Sequence, residues 1–288
     1  MLLRELNKNG VKIPAIGLGT YTYNSVDEQE KIKILNRAID LGCTFWDTAD
    51  NIYGDNEILL SKVLKDRLNE VFLCSKFGIV IEPNGEFKGI SGTPEYVHQA
   101  CENSLKRLGV DYIDLYYQHR VDPNTPIEDT IGALAELVKK GKIKYIGLSE
   151  CSAETLRLAY SPLGRGFLTG NYKSIDDFES DDYEFRRLIP RFQGENFNKN
   201  LEIVHKFNEF AEKKGVTSGQ LCLAWVLAQG DNMVVIASTG KIKHLEENVE
   251  AVKVNLSSEE LSEIRKIINS IEIIGNRYND DYMKMLGL

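Results

Sequence analysis

Thr44-Phe45-Trp46-Asp47-Thr48-Ala49-Asp50-Asn51-Ile52-Tyr53-Gly54 is the stretch whose reading decides the fold. An apolar run ends in an acid, and a tyrosine follows in the loop. This is the layout of a strand that delivers polar groups to the C-terminal mouth of a parallel barrel, where the active sites of such barrels lie. Two later runs repeat it. Val71-Phe72-Leu73-Cys74-Ser75 ends at Lys76, and Tyr112-Ile113-Asp114-Leu115-Tyr116-Tyr117-Gln118 ends at His119. Asp47, Tyr53, Lys76 and His119 thus fall at or just past the ends of successive predicted strands, and any chemistry is expected there.

On the N-terminal side, Leu2–Leu6 and Val11–Ile13 flank Asn9-Gly10, a strong hairpin signal. This predicts a small hairpin plugging the barrel bottom. Ile13 to Thr20 reads as the first barrel strand, with glycines where a ligand or backbone can approach closely. Helices are predicted over Asp27–Leu41, with Ile32, Leu35, Ala38 and Ile39 inward and Gly42 as the stop, and over Asn56–Leu68. On the C-terminal side, a glycine-rich loop from Gly78 to Gly92 leads to Thr93-Pro94 and a helix ending at Leu108-Gly109. Thr125-Pro126-Ile127-Glu128 predicts a capping box opening a helix that ends at Gly141, before a strand over Lys144–Ser149. Strand and helix alternate five strands deep, which implies a parallel sheet covered by helices.

There the rhythm breaks. A helix is predicted from Ser152, yet Tyr160-Ser161-Pro162-Leu163-Gly164-Arg165-Gly166 follows almost at once. A parallel crossover needs at least ~10–12 residues, and a whole strand-helix-strand unit ~30. Residues 151–159 cannot supply a helix, a strand and a second helix. Gly170 to Asn200, with Arg186, Arg187 and Arg191, reads as a long loop with short helical turns over the mouth. Helices are expected over Asn200–Lys214, from the Thr217–Gln220 capping box, over His244–Ala251, and from the Ser257–Glu260 capping box to Ile268. Met233–Ala237 reads as the last barrel strand, and the tail from Ile271 is polar and irregular. No repeat beyond the strand-helix period appears, nor a linker, so residues 1–288 are expected to form a single barrel domain.

The chain has 288 residues, 42% of them hydrophobic, and a net charge of −8. That charge argues against a nucleic-acid partner. The five cysteines are scattered, without metal-ligand spacing, and read as reduced thiols of a cytoplasmic protein, with no metal site. Met1–Glu5 carries no long apolar region, which predicts no signal peptide. No stretch approaches 18 apolar residues, which predicts no membrane span. Nothing in the sequence fixes an oligomeric state.

The four strand-end residues suit proton delivery to a carbonyl oxygen while another group delivers hydride. Free tyrosine titrates near ~10. A neighbouring Lys76 ammonium would lower that value for Tyr53 by favouring the phenolate. Asp47 would keep the lysine charged and oriented, and His119 could steer the carbonyl. Each residue taken singly also has an ordinary reading: an acid as a helix cap, a lysine as a solvated face, a histidine as a structural group. The glycines of Ser161–Gly166, following a strand end, can cradle a phosphate or form an ordinary turn, and Thr239, Gly240 and Lys241 can hold a second phosphate. The dinucleotide fingerprint of a Rossmann domain is absent from every predicted strand-to-helix turn.

Several motifs go further than spacing. They include Ile16-Gly17-Leu18-Gly19-Thr20, Trp46-Asp47-Thr48-Ala49-Asp50, Ser75-Lys76-Phe77-Gly78, Ser104 to Tyr116, and Gln118-His119-Arg120. Others are Tyr145 to Glu150, Tyr160 to Gly170, Pro190 to Phe197, and His244-Leu245-Glu246-Glu247-Asn248. Through them nearly the whole chain resembles the aldo-keto reductases, and in particular the branch with fungal and plant NADPH-dependent reductases and pyridoxal reductase. The resemblance implies an α/β fold, a (β/α)8 TIM-type barrel, and NADPH-dependent reduction of aldehydes or ketones to alcohols by an oxidoreductase acting on CH-OH groups. It implies that Tyr53 donates the proton, that Lys76 and Asp47 tune it, and that His119 orients a small-molecule carbonyl substrate. Gly19 and Thr20 would border the cofactor and Ser149 would meet the nicotinamide amide. Ser161, Leu163 and Gly166 would hold the pyrophosphate. Ser238, Thr239 and Lys241 would meet the 2′-phosphate, and His244, Glu247 and Asn248 the adenosine end.

Four departures accompany the resemblance. Between Ala159 and Tyr160 the family carries on the order of thirty to forty further residues. They would include the sixth strand and its flanking helices, with a glutamine and a tyrosine for the nicotinamide that have no counterpart here. Asn51 reads as a one-residue insertion between Asp47 and Tyr53, which could redirect the tyrosine. Ala237-Ser238 replaces a Pro-Gly common in the branch, and the C-terminus is short. A barrel lacking a strand must close with seven or expose two edges. The alternative function is therefore a catalytically impaired dinucleotide-binding isoform, or a regulatory binding protein on the same fold.

Overall fold

Short strands alternate with helices, and side-chain caps at Asp27, Thr93, Thr217 and Ser257 open some of them. The computed structural model describes residues 1–6, 10–21, 27–82, 85–149, 163–178, 188–231, 233–279 and 283. Strands β1 (Leu3–Glu5) and β2 (Lys12–Pro14) form the expected antiparallel hairpin, with Leu3 opposite Pro14. Its Ile13 packs with Phe45, Cys74 and Leu115 on the inner face of the sheet, and Leu6 and Val11 close over them. Strand β3 (Ile16–Gly19) leads to helix α1 (Glu28–Asp40), capped by the Asp27 side chain on the Gln29 N–H at 3.0 Å. Gly42, at φ 75°, turns the chain into β4 (Phe45–Asp47). Helix α2 (Asn56–Arg67) and β5 (Phe72–Phe77) follow.

The expected glycine-rich loop is instead a second antiparallel hairpin, β6 (Ile79–Ile81) and β7 (Phe87–Ile90). Its apolar arms outweigh its glycines. Helix α3 (Pro94–Leu108) starts on the Thr93 cap and stops at Gly109, at φ 66°. Strand β8 (Ile113–Gln118), helix α4 (Ile127–Lys139) and strand β9 (Ile143–Leu148) complete the first half. The capping box expected at Thr125 does not form. Its hydroxyl donates to Asp122 Oδ2 at 2.7 Å, and α4 opens on Pro126 with no side-chain cap.

Beyond residue 162 the chain is mostly helical. Short 3-10 turns at Gly164–Thr169, Ile175–Asp177 and Pro190–Phe192 precede α5 (Glu195–Lys214), which starts five residues before the predicted Asn200. Helices α6 (Ser218–Leu227) and α8 (Ser258–Asn269) form on their predicted capping boxes, and β10 (Val235–Ser238) and α7 (Ile242–Glu250) lie between them.

The main sheet has six parallel strands in the order β10-β3-β4-β5-β8-β9. The last strand lies beside the first, with Ser238 opposite Gly19, as in a closing barrel. Among the described residues β9 and β10 do not pair. Residues 150–162, with the helix expected from Ser152, Ser161 and the Ala159-Tyr160 junction, lie outside the described residues, as do Arg186 and Arg187. Outward-facing Leu18, Trp46, Leu73 and Tyr116 pack under the helices in the main core. Burying each such side chain stabilises the fold by about 1.5–3 kcal/mol.

Candidate active site

Sheet register builds the mouth. Asp47 ends β4 and Lys76 lies one residue from the end of β5, so both reach the C-terminal rim of neighbouring strands. Lys76 Nζ donates to Asp47 Oδ2 and, at 2.8 Å, to the Thr48 carbonyl. Both side chains are buried. Burial pushes the Asp47 carboxyl above the usual carboxylate range, and the Lys76 charge pulls it back. Such a pair depends on both members, because either alone is an uncompensated buried charge.

Tyr53 arrives on a 3-10 turn, Asn51–Tyr53. Asp50 ties this turn down twice. Its N–H donates to the Lys76 carbonyl at 3.1 Å, and its carbonyl accepts the Tyr53 N–H at 3.0 Å. The Tyr53 ring comes within 5.5 Å of Lys76 Nζ. The His119 ring meets it edge-on at 6.0 Å and 88°, and the Tyr21 ring stands 5.2 Å away. Asp47, Lys76, Tyr53 and His119 are thus brought together.

The electrostatics of Tyr53 differ from the expectation. Burial pushes its hydroxyl well above the usual phenol value, and Asp47, Tyr21 and Tyr278 push the same way against the Arg120 guanidinium. The Lys76 ammonium, held by Asp47 and the Thr48 carbonyl, does not offset that burial. A protonated phenol is the form a proton donor needs. His119 is held well below the ordinary imidazole value by burial, Lys76 and Arg120, so it is neutral. Its N–H on the backbone bonds the Phe77 carbonyl at 2.7 Å, and its buried Nδ1 has no partner among the described residues.

Three further groups surround Tyr53. Tyr21 adjoins the motif ending at Thr20 and Arg120 lies within Gln118-His119-Arg120, a signal that sequence could have used. Tyr278 had none. It is buried although it belongs to the irregular tail. Asn200 fixes that tail by donating to the Ile274 carbonyl at 2.9 Å and accepting its N–H at 2.8 Å. Arg191 adds a bond to the Gly275 carbonyl at 3.1 Å, and a Cβ on Gly275 would stand 2.8 Å from the Pro190 backbone.

The residues expected around a dinucleotide divide into two sets. In the segment 163–170, Leu163 is followed by Gly164, Arg165 and Gly166 at φ 55°, 59° and 88°. This right-handed to left-handed step aims successive backbone N–H groups into a concavity that suits an anion. The Gly166 N–H itself bonds the Leu163 carbonyl at 2.9 Å. After β10, the buried Thr239 hydroxyl accepts the Lys241 N–H at 3.1 Å and shapes a turn that leaves Lys241 exposed. On α7, Glu247 accepts the Thr217 hydroxyl at 2.6 Å and stands 3.6 Å from His244, while Asn248 is buried. Gly219 joins the two segments, since a Cβ there would lie 3.3 Å from Glu247 and 3.8 Å from Thr169. An anionic, elongated group fits this side. Gly19 and Thr20 also serve the scaffold. A Cβ on Gly19 would stand 2.5 Å from Ser238 Oγ, and the buried Thr20 hydroxyl bonds Thr48 at 3.0 Å. Ser149, half-buried at the end of β9, donates its N–H to the Gln118 carbonyl at 3.0 Å.

Among the described residues no His, Cys, Asp or Glu cluster could hold a metal ion, and no helix is long and apolar enough to cross a membrane. Comparison with known proteins places this architecture. The aldo/keto reductase family model matches residues 15–159 and 157–269, and its two matched parts meet where the strand-helix rhythm breaks. An aldo-keto reductase (str7) of Strobilurus tenacellus is 44% identical, over 96% of this chain and 92% of that protein. That match runs over 318 residues, longer than the 288 of this chain, so the relative carries residues with no counterpart here. An aldo-keto reductase of Schizosaccharomyces pombe, yakc [NADP(+)], is 43% identical over 92% of each chain. Among solved structures, the glycerol dehydrogenase AKR11B4 from Gluconobacter oxydans superposes with a TM-score of 0.81 at 23% identity, covering 95% of this chain and 96% of that one. The aldo-keto reductase AKR11C1 from Bacillus halodurans, in its holo form, gives 0.75 at 24% identity over 96% and 98%. With the family model covering most of its length and two relatives above 40% identity, the chain belongs to the aldo/keto reductase family.

Proposed function

We propose that this chain is a single-domain, NADP-dependent oxidoreductase that reduces an aldehyde or ketone to an alcohol, with Tyr53 as proton donor. The observation that carries this reading is the convergence of Tyr53 and His119 on the buried Lys76–Asp47 pair. NADPH supplies hydride to the carbonyl carbon when bound. Tyr53, kept protonated by its surroundings, gives its hydroxyl proton to the carbonyl oxygen. The Lys76 ammonium, held by Asp47, stands beside the ring to stabilise the phenolate as it forms. Neutral His119 directs an N–H to the carbonyl oxygen and so orients the substrate. Leu163, Gly166, Ser238, Thr239, Lys241, His244, Glu247 and Asn248 would line the path of the dinucleotide, and Gly19, Thr20, Ser149 and Ser161 complete the set that the resemblance implies. The NADP(+) in the name of the Schizosaccharomyces pombe relative supports the cofactor. Four buried, unpaired cysteines, Cys43, Cys74, Cys101 and Cys222, support a cytoplasmic setting.

The test is NADPH oxidation against a panel of aldehydes and ketones, with Tyr53→Phe as control. Turnover by the wild type and a loss of at least ~100-fold in the variant is expected. Full turnover by Tyr53→Phe would remove the assignment. The residues that the Strobilurus tenacellus relative carries and this chain lacks favour a second reading, a dinucleotide-binding protein without efficient chemistry. NADPH binding with no turnover on any substrate of the panel would select it.

A further inference from the structure

Three arginines that take no part in the proposed reaction meet where the 163–170 segment, the 190–192 turn and the tail come together. Arg165 Nη1 donates to the Arg277 carbonyl at 3.2 Å, and Arg191 Nε donates to the Gly275 carbonyl at 3.1 Å. The Arg165 guanidinium lies over the buried Tyr278 ring, 4.8 Å from its centre, and the Arg277 guanidinium stands 5.6 Å from the same centre. One ring thus carries two cations, and the third is tied to the tail two residues upstream of Arg277. All three arginines are half-buried.

Arg165 is also the one non-glycine residue at positive φ among the described residues, at 59°. Long side chains seldom take that conformation. Here it separates the two parts of the residue: the backbone lies in the 163–166 concavity, while the side chain reaches the tail. The chain as a whole carries a net charge of −8, so this gathering does not follow from a general excess of cations. Burial, then the charges of Arg277 and Arg165, hold the Arg191 guanidinium below its usual value. Like charges brought together in a partly dry site repel, and an anion beside them recovers that energy. A guanidinium presents a planar fork of N–H donors that matches a carboxylate or a phosphate.

Tyr278, the ring that carries two of the cations, is also one of the groups around Tyr53. The cluster therefore lies between the concavity expected to take the cofactor and the proton donor. We propose that Arg165, Arg191 and Arg277 form an anion-binding subsite of the substrate pocket, so that the preferred substrate is a carbonyl compound whose far end carries a carboxylate or a phosphate. This proposal rests on Tyr53 reducing a carbonyl. The backbone N–H groups of the 163–166 segment serve the pyrophosphate, and the arginine side chains serve the substrate.

Two measurements on the full-length chain test this. The first compares NADPH-dependent reduction of 4-carboxybenzaldehyde with that of its methyl ester, which has the same ring and carbonyl without the charge. The wild type favours the acid in kcat/KM by about 100-fold. Arg277→Met and Arg191→Met each remove about tenfold of that preference, through KM more than kcat, and raised salt narrows it. A preference for 4-formylphenyl phosphate over the acid assigns the anion as a phosphate, and the reverse assigns a carboxylate; either supports the proposal. The second is a calorimetric titration of the NADP-loaded chain with 4-(hydroxymethyl)benzoate, the alcohol product, which binds about tenfold more weakly to Arg277→Met. Equal kcat/KM for acid and ester in the wild type, or a preference that survives in both variants, overturns the proposal. A loss of NADPH affinity with the preference intact also overturns it and gives the arginines to the cofactor. If the wild type reduces no carbonyl, the proposed reaction fails, and the titration alone decides whether the anion subsite exists. If Arg191→Met does not fold once its bond to Gly275 is lost, Arg277→Met carries the test, since its backbone carbonyl still accepts from Arg165.

Discussion

The two halves of the mouth are held by different means. On the side of β4, β5 and β8, Asp47, Lys76 and His119 project from the ends of paired strands, and their spacing follows from register. On the other side, around 163–170, 239–248 and the tail, the chain is held by turns, glycines and single side-chain clamps such as Asn200 on Ile274. The difference teaches that Asp47, Lys76 and His119, three of the groups proposed to act on the substrate, are set by strand register, while the residues proposed to hold the cofactor rest on turns and clamps that can vary without disturbing them. A displaced strand end moves a whole ladder, whereas a displaced clamp frees one segment.

The largest effect should come from breaking the rigid side at its centre. Lys76→Ala leaves Asp47 buried without its counter-charge, a change that costs about 3–5 kcal/mol, and it should abolish turnover as well. Denaturant unfolding reads the first loss and NADPH oxidation the second. Asp47→Asn with Lys76→Met removes both charges and should recover much of the stability but none of the activity. If the single variant unfolds at the same denaturant concentration as the wild type, the pair does not organise this side.

Asp50 gives the same side a pH dependence of definite sign. Its carboxyl titrates near the usual carboxylate value when unfolded and at about 7 when folded. Between those values the folded state binds the extra proton, so stability falls as pH rises from about 4 to about 7 and is then flat. Asp50→Asn removes that loss. Thermal unfolding should show no difference from the wild type at pH 4 and a gain of at most about 4 kcal/mol at pH 8. A gain confined to low pH would reverse the assigned direction.

These contrasts explain what the sequence let one see. Asp47, Lys76 and His119 were legible because a parallel strand that ends in a polar residue must present it at the barrel mouth. The gap between Ala159 and Tyr160 was legible because a crossover has a minimum length, and the family model divides at that place. The β6–β7 hairpin was read as a loop, although Asn84-Gly85 between apolar arms carried a turn signal; the glycines at 78, 85, 89 and 92 masked it. The pairing of Thr125 with Asp122 in place of a helix cap is a competition between two local acceptors that composition does not rank. The direction of the Tyr53 shift depends on burial, which a list of neighbours in sequence does not contain. Tyr278 reaches the site through Asn200 and Ile274, 74 residues apart, and such a pair leaves no local pattern.

That clamp is the weak point of the variable side. Asn200→Ala leaves the Ile274 N–H and carbonyl without their partner, a loss of about 1–3 kcal/mol. Because the tail carries Tyr278 to Tyr53 and not to the strand ends, KM for the carbonyl should rise while kcat changes little. A fall in kcat with KM unchanged would place the tail with the rigid side.

The smallest effect belongs to Lys241, and it sharpens the comparison most. Lys241 is exposed at the turn after β10, with its N–H on Thr239. Its removal should leave unfolding unchanged, as expected for a surface substitution. If it meets the 2′-phosphate, Lys241→Ala forfeits one charge-assisted contact, worth about 1.5–3 kcal/mol. NADPH should then bind roughly ten- to a hundred-fold more weakly while NADH binding is unaltered, and raised salt should narrow the difference. An equal loss for both dinucleotides would mean that the lysine shapes the turn instead of reading the phosphate. The variable side would then discriminate cofactors by the 163–166 segment and α7 alone.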